Sequence, residues 1–216
     1  MKIISFNINN DYRNIQENAV KIKNMIKSET PDIIGLQEIT SPMYDELLPF
    51  LLNLKYNVSS KSSRSYFNMM ISKFSDTIIE IPFSTTSMSR SFLKQYVKDL
   101  DETFITTHLE SIGLNKLIRE KQCLEICEVV SLSTYFTVFG DTNFSQEDED
   151  MGGGLTYIDP ALKTVFTYDS QLNNNAQTPF RSNLDRFYTN KSIDSKVDIL
   201  INITFSDHFP IILTRS

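Results

Sequence analysis

The sequence predicts an α/β fold in which strands make the body and helices lie outside it. Three observations predict this. Short apolar, β-branched runs recur along the whole chain. In the first half the hydrophobic period alternates between strand-like and helix-like. Polar residues capable of chemistry stand just past the ends of several apolar runs, where α/β folds carry functional groups. At 216 residues, with 40% hydrophobic and 22% charged residues, the chain suits one globular domain spanning 1–216.

The elements follow in order. "KIISFNI" reads as a strand, and residues 14–28 carry Ile15, Val20, Ile22, Met25 and Ile26 at helical spacing. "PDIIGLQEI" is a second buried strand. A helix is predicted from Ser41 to Leu54, with Ser41 as its cap and Pro42 in its first turn. From 56 to 107 come five strand-like runs: "YNVSS", "YFNMMISKF", "TIIEIPF", "FLKQYV" and "ETFITTHL". A helix at about 114–132 leads into "YFTVFGDTNF" (135–144), an apolar run that ends at Gly140. On this segment alone a plain turn is the simpler reading, since Gly, Asp, Thr and Asn favour turns for local reasons. The remaining strands are "TVFTY", "LDRFYT", "KVDILINI" and "FPIILTR".

Several classes are disfavoured. No stretch approaches the roughly 18 apolar residues of a membrane span. The N-terminal apolar run has no small-residue cleavage site after it and reads as a strand, which predicts an intracellular setting, nuclear or cytoplasmic. The Asn-x-Ser/Thr triplets at Asn57, Asn143, Asn190 and Asn202 are then chance matches. Cys123 and Cys127 are the two cysteines, read as reduced thiols on a helix. A net charge of −6 argues against a broad basic face for long nucleic acid, while leaving room for a local phosphate site or for carboxylates around a divalent cation. The acidic segment 145–154 reads as a surface loop. A calcium loop over 141–152 fails, because Gln146 stands where glycine is needed and Gly152 where a bidentate Glu is needed.

The strand tips make a constellation. Asn7 follows the first run and Glu38 ends the second; "THLES" places His108 and Ser111 after a third. "GDTN" supplies Asp141 and Asn143, "LDRF" supplies Asp185, and "SDH" supplies Asp207 and His208 before the last strand. A fold that aligns these tips gathers all of them, both histidines of the chain included.

This order resembles the endonuclease/exonuclease/phosphatase superfamily of metal-dependent phosphoesterases, through "PDIIGLQEI", "THLES", "GDTN" and "SDH". Within it the chain is most similar to the 5′-tyrosyl-DNA phosphodiesterases, through "TYDSQLNNN" (167–175), "IPFSTTSMSR" (81–90) and "MGGGLTYIDP" (151–160). The resemblance runs along the whole chain and implies the catalytic domain alone, with no ubiquitin-binding extension ahead of it. It implies a two-sheet, four-layer α/β sandwich with the site at the strand tips. Departures occur at Asn9, where the family often has an acid, and at Ser145, where it has an arginine. Tyr168 replaces a Trp and Leu184 a Phe.

What the resemblance implies for function is specific. Mg²⁺, with Mn²⁺ as a substitute, is held by Glu38 directly and by Asn7 and Asp207 through water. Asp141 orients and deprotonates the attacking water with Asn143 as its partner. His208 and His108 donate to phosphate oxygens, and Asp185 holds the tautomer of His208. Tyr66, Tyr168 and Leu184 wall a slot for the 5′ nucleotide, although Tyr66 and Tyr168 read equally well as ordinary strand aromatics. Arg90 is a candidate phosphate contact and Ser111 a substrate contact; Arg186 is either another phosphate contact or a surface charge. The expected reaction is hydrolysis of a 5′-phosphotyrosyl bond on single-stranded or frayed DNA ends by a monomer, with RNA–tyrosine links as a second substrate. The alternatives are a nuclease or phosphatase acting on another ester, or a binding module that has lost turnover.

Overall fold

A computed structural model describes residues 1–9, 13–111, 115–144, 150–152, 155–158, 160, 165–191 and 194–216. The chain opens with β1 (Lys2–Asn7), α1 (Ile15–Glu29), β2 (Ile33–Thr40) and α2 (Ser41–Asn53). Next come β3 (Asn57–Val58), β4 (Tyr66–Ser72), β5 (Ile78–Pro82), β6 (Ser91–Val97) and β7 (Glu102–His108). After α3 (Lys116–Val130) follow β8 (Tyr135–Asp141), β9 (Thr156–Tyr157), β10 (Tyr168–Asp169), β11 (Arg181–Ser182), β12 (Asp185–Thr189), β13 (Ser195–Ile199) and β14 (Ile211–Arg215).

Two six-stranded sheets result, ordered β13-β14-β1-β2-β4-β3 and β5-β6-β7-β8-β12-β9, with β10 and β11 pairing separately. Each sheet has a parallel pair at its centre, β1 with β2 and β7 with β8, flanked by antiparallel neighbours. A parallel pair needs a crossover, and α1 and α3 supply the two crossovers. The sheets are therefore near copies in topology, and the carboxyl ends of both central pairs meet at one edge.

Strand alternation explains the layering. On β1, Ile4 and Phe6 face α1 and α2 with Ile34 and Leu36, whereas Ile3 faces the second sheet with Ile33, Leu93, Phe104, Phe139 and Phe187. A third apolar layer, including Ile105, Val138, Cys123 and Ile126, joins the second sheet to α3. The order is helices, sheet, sheet, helix: the two-sheet α/β sandwich expected from the sequence. Phe139 and Phe187 stack with centroids 5.6 Å apart in the inter-sheet layer. Beneath the site that layer turns polar. Gln37 donates to Thr106 Oγ1 at 3.1 Å across the sheets. The approach there is so close that a Cβ on Gly35 would lie 2.1 Å from Thr106 Oγ1.

The helices form for legible reasons. Ala19, Ile22, Met25 and Ile26 make the buried stripe of α1. In α2 the cap differs from the expected Ser41: Thr40 accepts from the Met43 amide at 3.4 Å, and Ser41 is the first helical residue. Thr40 is extended and Ser41 is not, and only an extended residue can turn its oxygen back to the first free amides. Both thiols lie on α3 as expected, Cys123 buried and Cys127 half-buried. Several expected strands are shorter than their runs: "YNVSS" yields β3, "TVFTY" yields β10, and the strand of "KVDILINI" ends at Ile199. Residues 145–149 of the acidic segment, with Ser145, lie outside the described residues. Among the described residues no helix is long and apolar enough to cross a membrane.

Candidate active site

Each central strand pair delivers its tip residues in register. Asn7 stands opposite Gln37, next to Glu38, and His108 opposite Asp141. Asp185 begins β12 directly opposite Asp141. Asp207 and His208 arrive on the loop before β14, where Ser206 Oγ donates to the Asn7 carbonyl at 2.7 Å. Asn7, Glu38, His108, Asp141, Asp185, Asp207 and His208 thus come from both sheets to one edge.

Local backbone makes this possible. Gly140 has φ +143°, and a Cβ there would meet the Thr107 carbonyl at 2.0 Å. Glycine lets β8 run against β7 just before Asp141. Glu38 has φ +59° at a register shift in the β2–β4 pairing, a bulge that re-aims its side chain. A non-glycine residue in this region costs roughly 1–2 kcal/mol, and such strain is characteristic of functional positions.

Asp141 is the hub. Its Oδ1 accepts from the Asn143 amide at 2.9 Å and its Oδ2 from Asn7 Nδ2 at 2.8 Å. The same Asn7 nitrogen lies 3.4 Å from Glu38 Oε1, so one carboxamide spans both carboxylates. His108 Nε2 is 3.4 Å from Asp141 Oδ2 and 3.9 Å from Glu38 Oε1; His208 Nε2 is 3.9 Å from Asp141 Oδ2. Burial pushes the Asp141 carboxyl up, helped by Asp185, while the His208 charge and the Asn7 and Asn143 bonds oppose this.

The histidines are fixed in opposite states. Burial pulls His208 down, but Asp185, bonded to Nδ1 at 2.7 Å, outweighs it with Asp141 and Asp207 and lifts it to about 10. His208 is therefore a cation. His108 is held well below its ordinary value by burial, then by the charges of Arg90 and His208. Arg90 Nη1 lies 2.8 Å from its Nδ1. A guanidinium only donates, so Nδ1 accepts and the ring proton sits on Nε2, facing Asp141.

The remaining predicted residues divide. Arg90 is buried and donates to His108 and, at 2.8 Å, to Ser111 Oγ, with its guanidinium 5.2 Å over the half-buried Tyr66 ring. Tyr168 is buried edge-on to His208 at 5.3 Å, and its hydroxyl accepts from the Gln177 and Thr178 amides. Leu184 is buried, and its carbonyl takes both the amide and the hydroxyl of Thr142. Arg186 lies over Phe144 and Tyr157 and donates to the Asn183 carbonyl at 2.9 Å. Sequence reasoning missed two supports. Asn173, wholly buried, donates to the Ser206 carbonyl at 2.9 Å and so holds the Asp207–His208 loop. The other is Glu110, inside "THLES". The signal was present in both motifs, but no local pattern says which loop such a residue reaches.

The acids suit a hard divalent cation. Glu38 and Asp207 offer carboxylate oxygens, whereas Asn7 turns its Nδ2 to the carboxylates and its Oδ1 accepts from the Asn9 amide at 3.0 Å, so it would reach an ion through water. Burial and then the charge of Glu38 raise the Asp207 carboxyl against the pull of His208, a repulsion that a cation relieves. Asp141, Asp185 and His208 also place donor atoms within 4.8 Å of one another, but a metal among them would compete with the short His208–Asp185 bond.

The chain is similar to known proteins in sequence and in fold. Tyrosyl-DNA phosphodiesterase 2 of Homo sapiens is 26% identical over 191 residues, covering 80% of this chain and 52% of that protein. The chain resembles the tyrosyl-DNA phosphodiesterases. It spans about half the length of the curated tyrosyl-DNA phosphodiesterases it matches. The crystal structure of truncated Caenorhabditis elegans TDP2 superposes with a TM-score of 0.83 at 21% identity, covering 99% of this chain and 96% of that one. That of D. rerio TDP2 complexed with single strand DNA product gives 0.84 at 22%, covering 100% and 98%. These structures share the chain's fold, the two-sheet α/β sandwich. No family model matches the chain.

Proposed function

We propose that the protein is a divalent-metal-dependent phosphodiesterase that hydrolyses the 5′-phosphotyrosyl bond between a DNA end and a protein adduct, leaving a 5′-phosphate. The observation that carries the reading is the Asn7 carboxamide spanning Glu38 and Asp141, with Nε2 of His108 and of His208 at 3.4 and 3.9 Å from the same carboxylate. The D. rerio relative's single-stranded DNA product supports DNA as the polymer.

Glu38, Asn7 and Asp207 would hold Mg²⁺, with Mn²⁺ as a substitute. The ion supplies charge neutralisation at the phosphate. Asp141, its carboxyl raised by burial, accepts the proton of the attacking water, and Asn143 fixes the orientation of that carboxylate. His208 donates Nε2–H as a cation and His108 donates Nε2–H as a neutral ring, both toward the non-bridging oxygens. One such donor is worth about 3 to 4 kcal/mol as charge builds. The leaving phenolate has a pKa of about 10, so it departs without a strong general acid. A 5′ base against Tyr66 would add roughly 1–3 kcal/mol by stacking.

A 5′-tyrosyl oligonucleotide incubated with the protein and Mg²⁺ tests this: a free 5′-phosphate strand is expected. Inertness there, with cleavage of abasic DNA, poly(A) or a phospholipid head group, would place the activity elsewhere in the superfamily. Tight binding without cleavage would make it a binding module. A tyrosyl–RNA oligonucleotide in the same assay measures the second substrate class.

A further inference from the structure

Glu110 is wholly buried two residues past His108, and the mechanism above gives it no task. The buried Arg119 guanidinium donates to the Glu110 backbone carbonyl at 3.2 Å, while the donors that reach its carboxylate are neutral. Thr86 Oγ1 donates to it at 2.8 Å, the Ser87 amide at 2.9 Å, Gln122 Nε2 at 3.3 Å, and the Ser87 hydroxyl adds a further bond. Burial pushes this carboxyl up, but the bonds from Ser87, Thr86 and Gln122 outweigh it and hold the group below its ordinary 4.5. Taking a carboxylate out of water is expensive, so the loop it fastens ought to matter.

That loop, 84–90, ends in Arg90. Thr86 has one hydroxyl proton, and Glu110 takes it. Both lone pairs of that oxygen are then left to accept the Arg90 amide at 2.9 Å and the Met88 amide at 3.2 Å. Between them Ser89 sits at φ +57°, a strained conformation for a residue with a side chain. The turn so fixed brings the Arg90 guanidinium to His108 Nδ1 and to Ser111 Oγ.

We propose that Glu110 is a positioning residue for the phosphodiesterase site. Acting through Thr86, it fixes the turn that seats Arg90 on Nδ1 of His108, and so decides which nitrogen of His108 carries the proton. The inference rests on the functional reading given above. It also makes a charge-specific claim. Glu110→Gln keeps the shape but puts an NH₂ where two acceptors are needed. Facing Thr86, that NH₂ demands a lone pair already taken by Arg90 or Met88; facing Ser87, it opposes an amide donor.

The experiment has two arms. In ¹⁵N-histidine-labelled protein, which contributes two rings, His108 is expected to show the Nε2–H tautomer in wild type and in Thr86→Ser. It should lose that single tautomer in Glu110→Gln and in Thr86→Val. On the tyrosyl oligonucleotide, Glu110→Gln and Thr86→Val should lower kcat by about 10²-fold with KM little changed, and Thr86→Ser should restore it. The proposal is overturned if both impaired variants keep the tautomer and kcat, or if Thr86→Ser is as damaged as Thr86→Val. Should Glu110→Gln not fold, Thr86→Val on the half-buried side of the contact decides the matter alone. A wild type inert on tyrosyl ends sinks the functional reading, whereas the tautomer arm needs no turnover and still tests this one.

Discussion

Gly140 shows how a single atom fixes the active edge. A methyl at this position meets the Thr107 carbonyl and sits on a backbone of φ +143°. Gly140→Ala should therefore destabilise by roughly 3 kcal/mol, read as a lower urea midpoint, and should displace Asp141. The His208–Asp185 pair yields a second prediction. Asp185→Asn removes the charge that keeps His208 cationic, and kcat should fall by about 10²-fold or more while KM changes little. An unchanged kcat would show that the Nε2–H of His208 plays no part in the transition state. The identities Asn7, Glu38, His108, Asp141, Asp185 and His208 were all legible because each ends or begins an apolar run. The state of each histidine was not. It depends on Arg90 and Asp185, which lie 18 and 23 residues away in sequence.

Among the elements, helices and long strands were readable from their periods, and short strands were not. β3 and β10 exist only as two-residue pairings, and no propensity specifies so little backbone. The cap of α2 depended on which of two adjacent hydroxyl residues was extended, which sequence does not reveal. Thr40→Ala should cost about 1 kcal/mol, measured by denaturation, and Ser41→Ala should cost much less. Loop anchors set the acid response. Asp169 is pushed up by burial, but the Arg181 hydrogen bond leads the interactions that outweigh this and hold it below 3.8; Glu110 is likewise held below 4.5. Groups depressed in this way lend stability that is complete above their unfolded values and is lost as pH falls through the folded ones. The urea midpoint should thus decline below pH 4.5, and Asp169→Asn should flatten part of that decline. An identical slope in the variant would remove Asp169 from the account.

At the scale of the molecule, the α/β class was legible from the pattern, and the two-sheet sandwich from the family resemblance. The near-duplicate strand order of the sheets was not, because pairing between distant runs leaves no local trace. The gathered carboxylates make a further prediction. A divalent cation that binds the folded state alone should stabilise it by about 2.7 kcal/mol at a hundredfold excess over its Kd. Mg²⁺ should therefore raise the Tm, and Glu38→Gln should abolish most of the rise. A Tm indifferent to Mg²⁺ and Mn²⁺ would count against the cation site whatever the activity.

The Gln37–Thr106 bond and the bare Cα of Gly35 clamp the two halves together just beneath the carboxylates. Glu38 rides on one half and Asp141 on the other, so the gap between them is a gauge of slippage between two plates. A loosening too slight to unfold anything, such as a void opened at Phe139, would register first as lost turnover. Inactivation should then precede melting on a temperature ramp, with the widening of that gap as its cause.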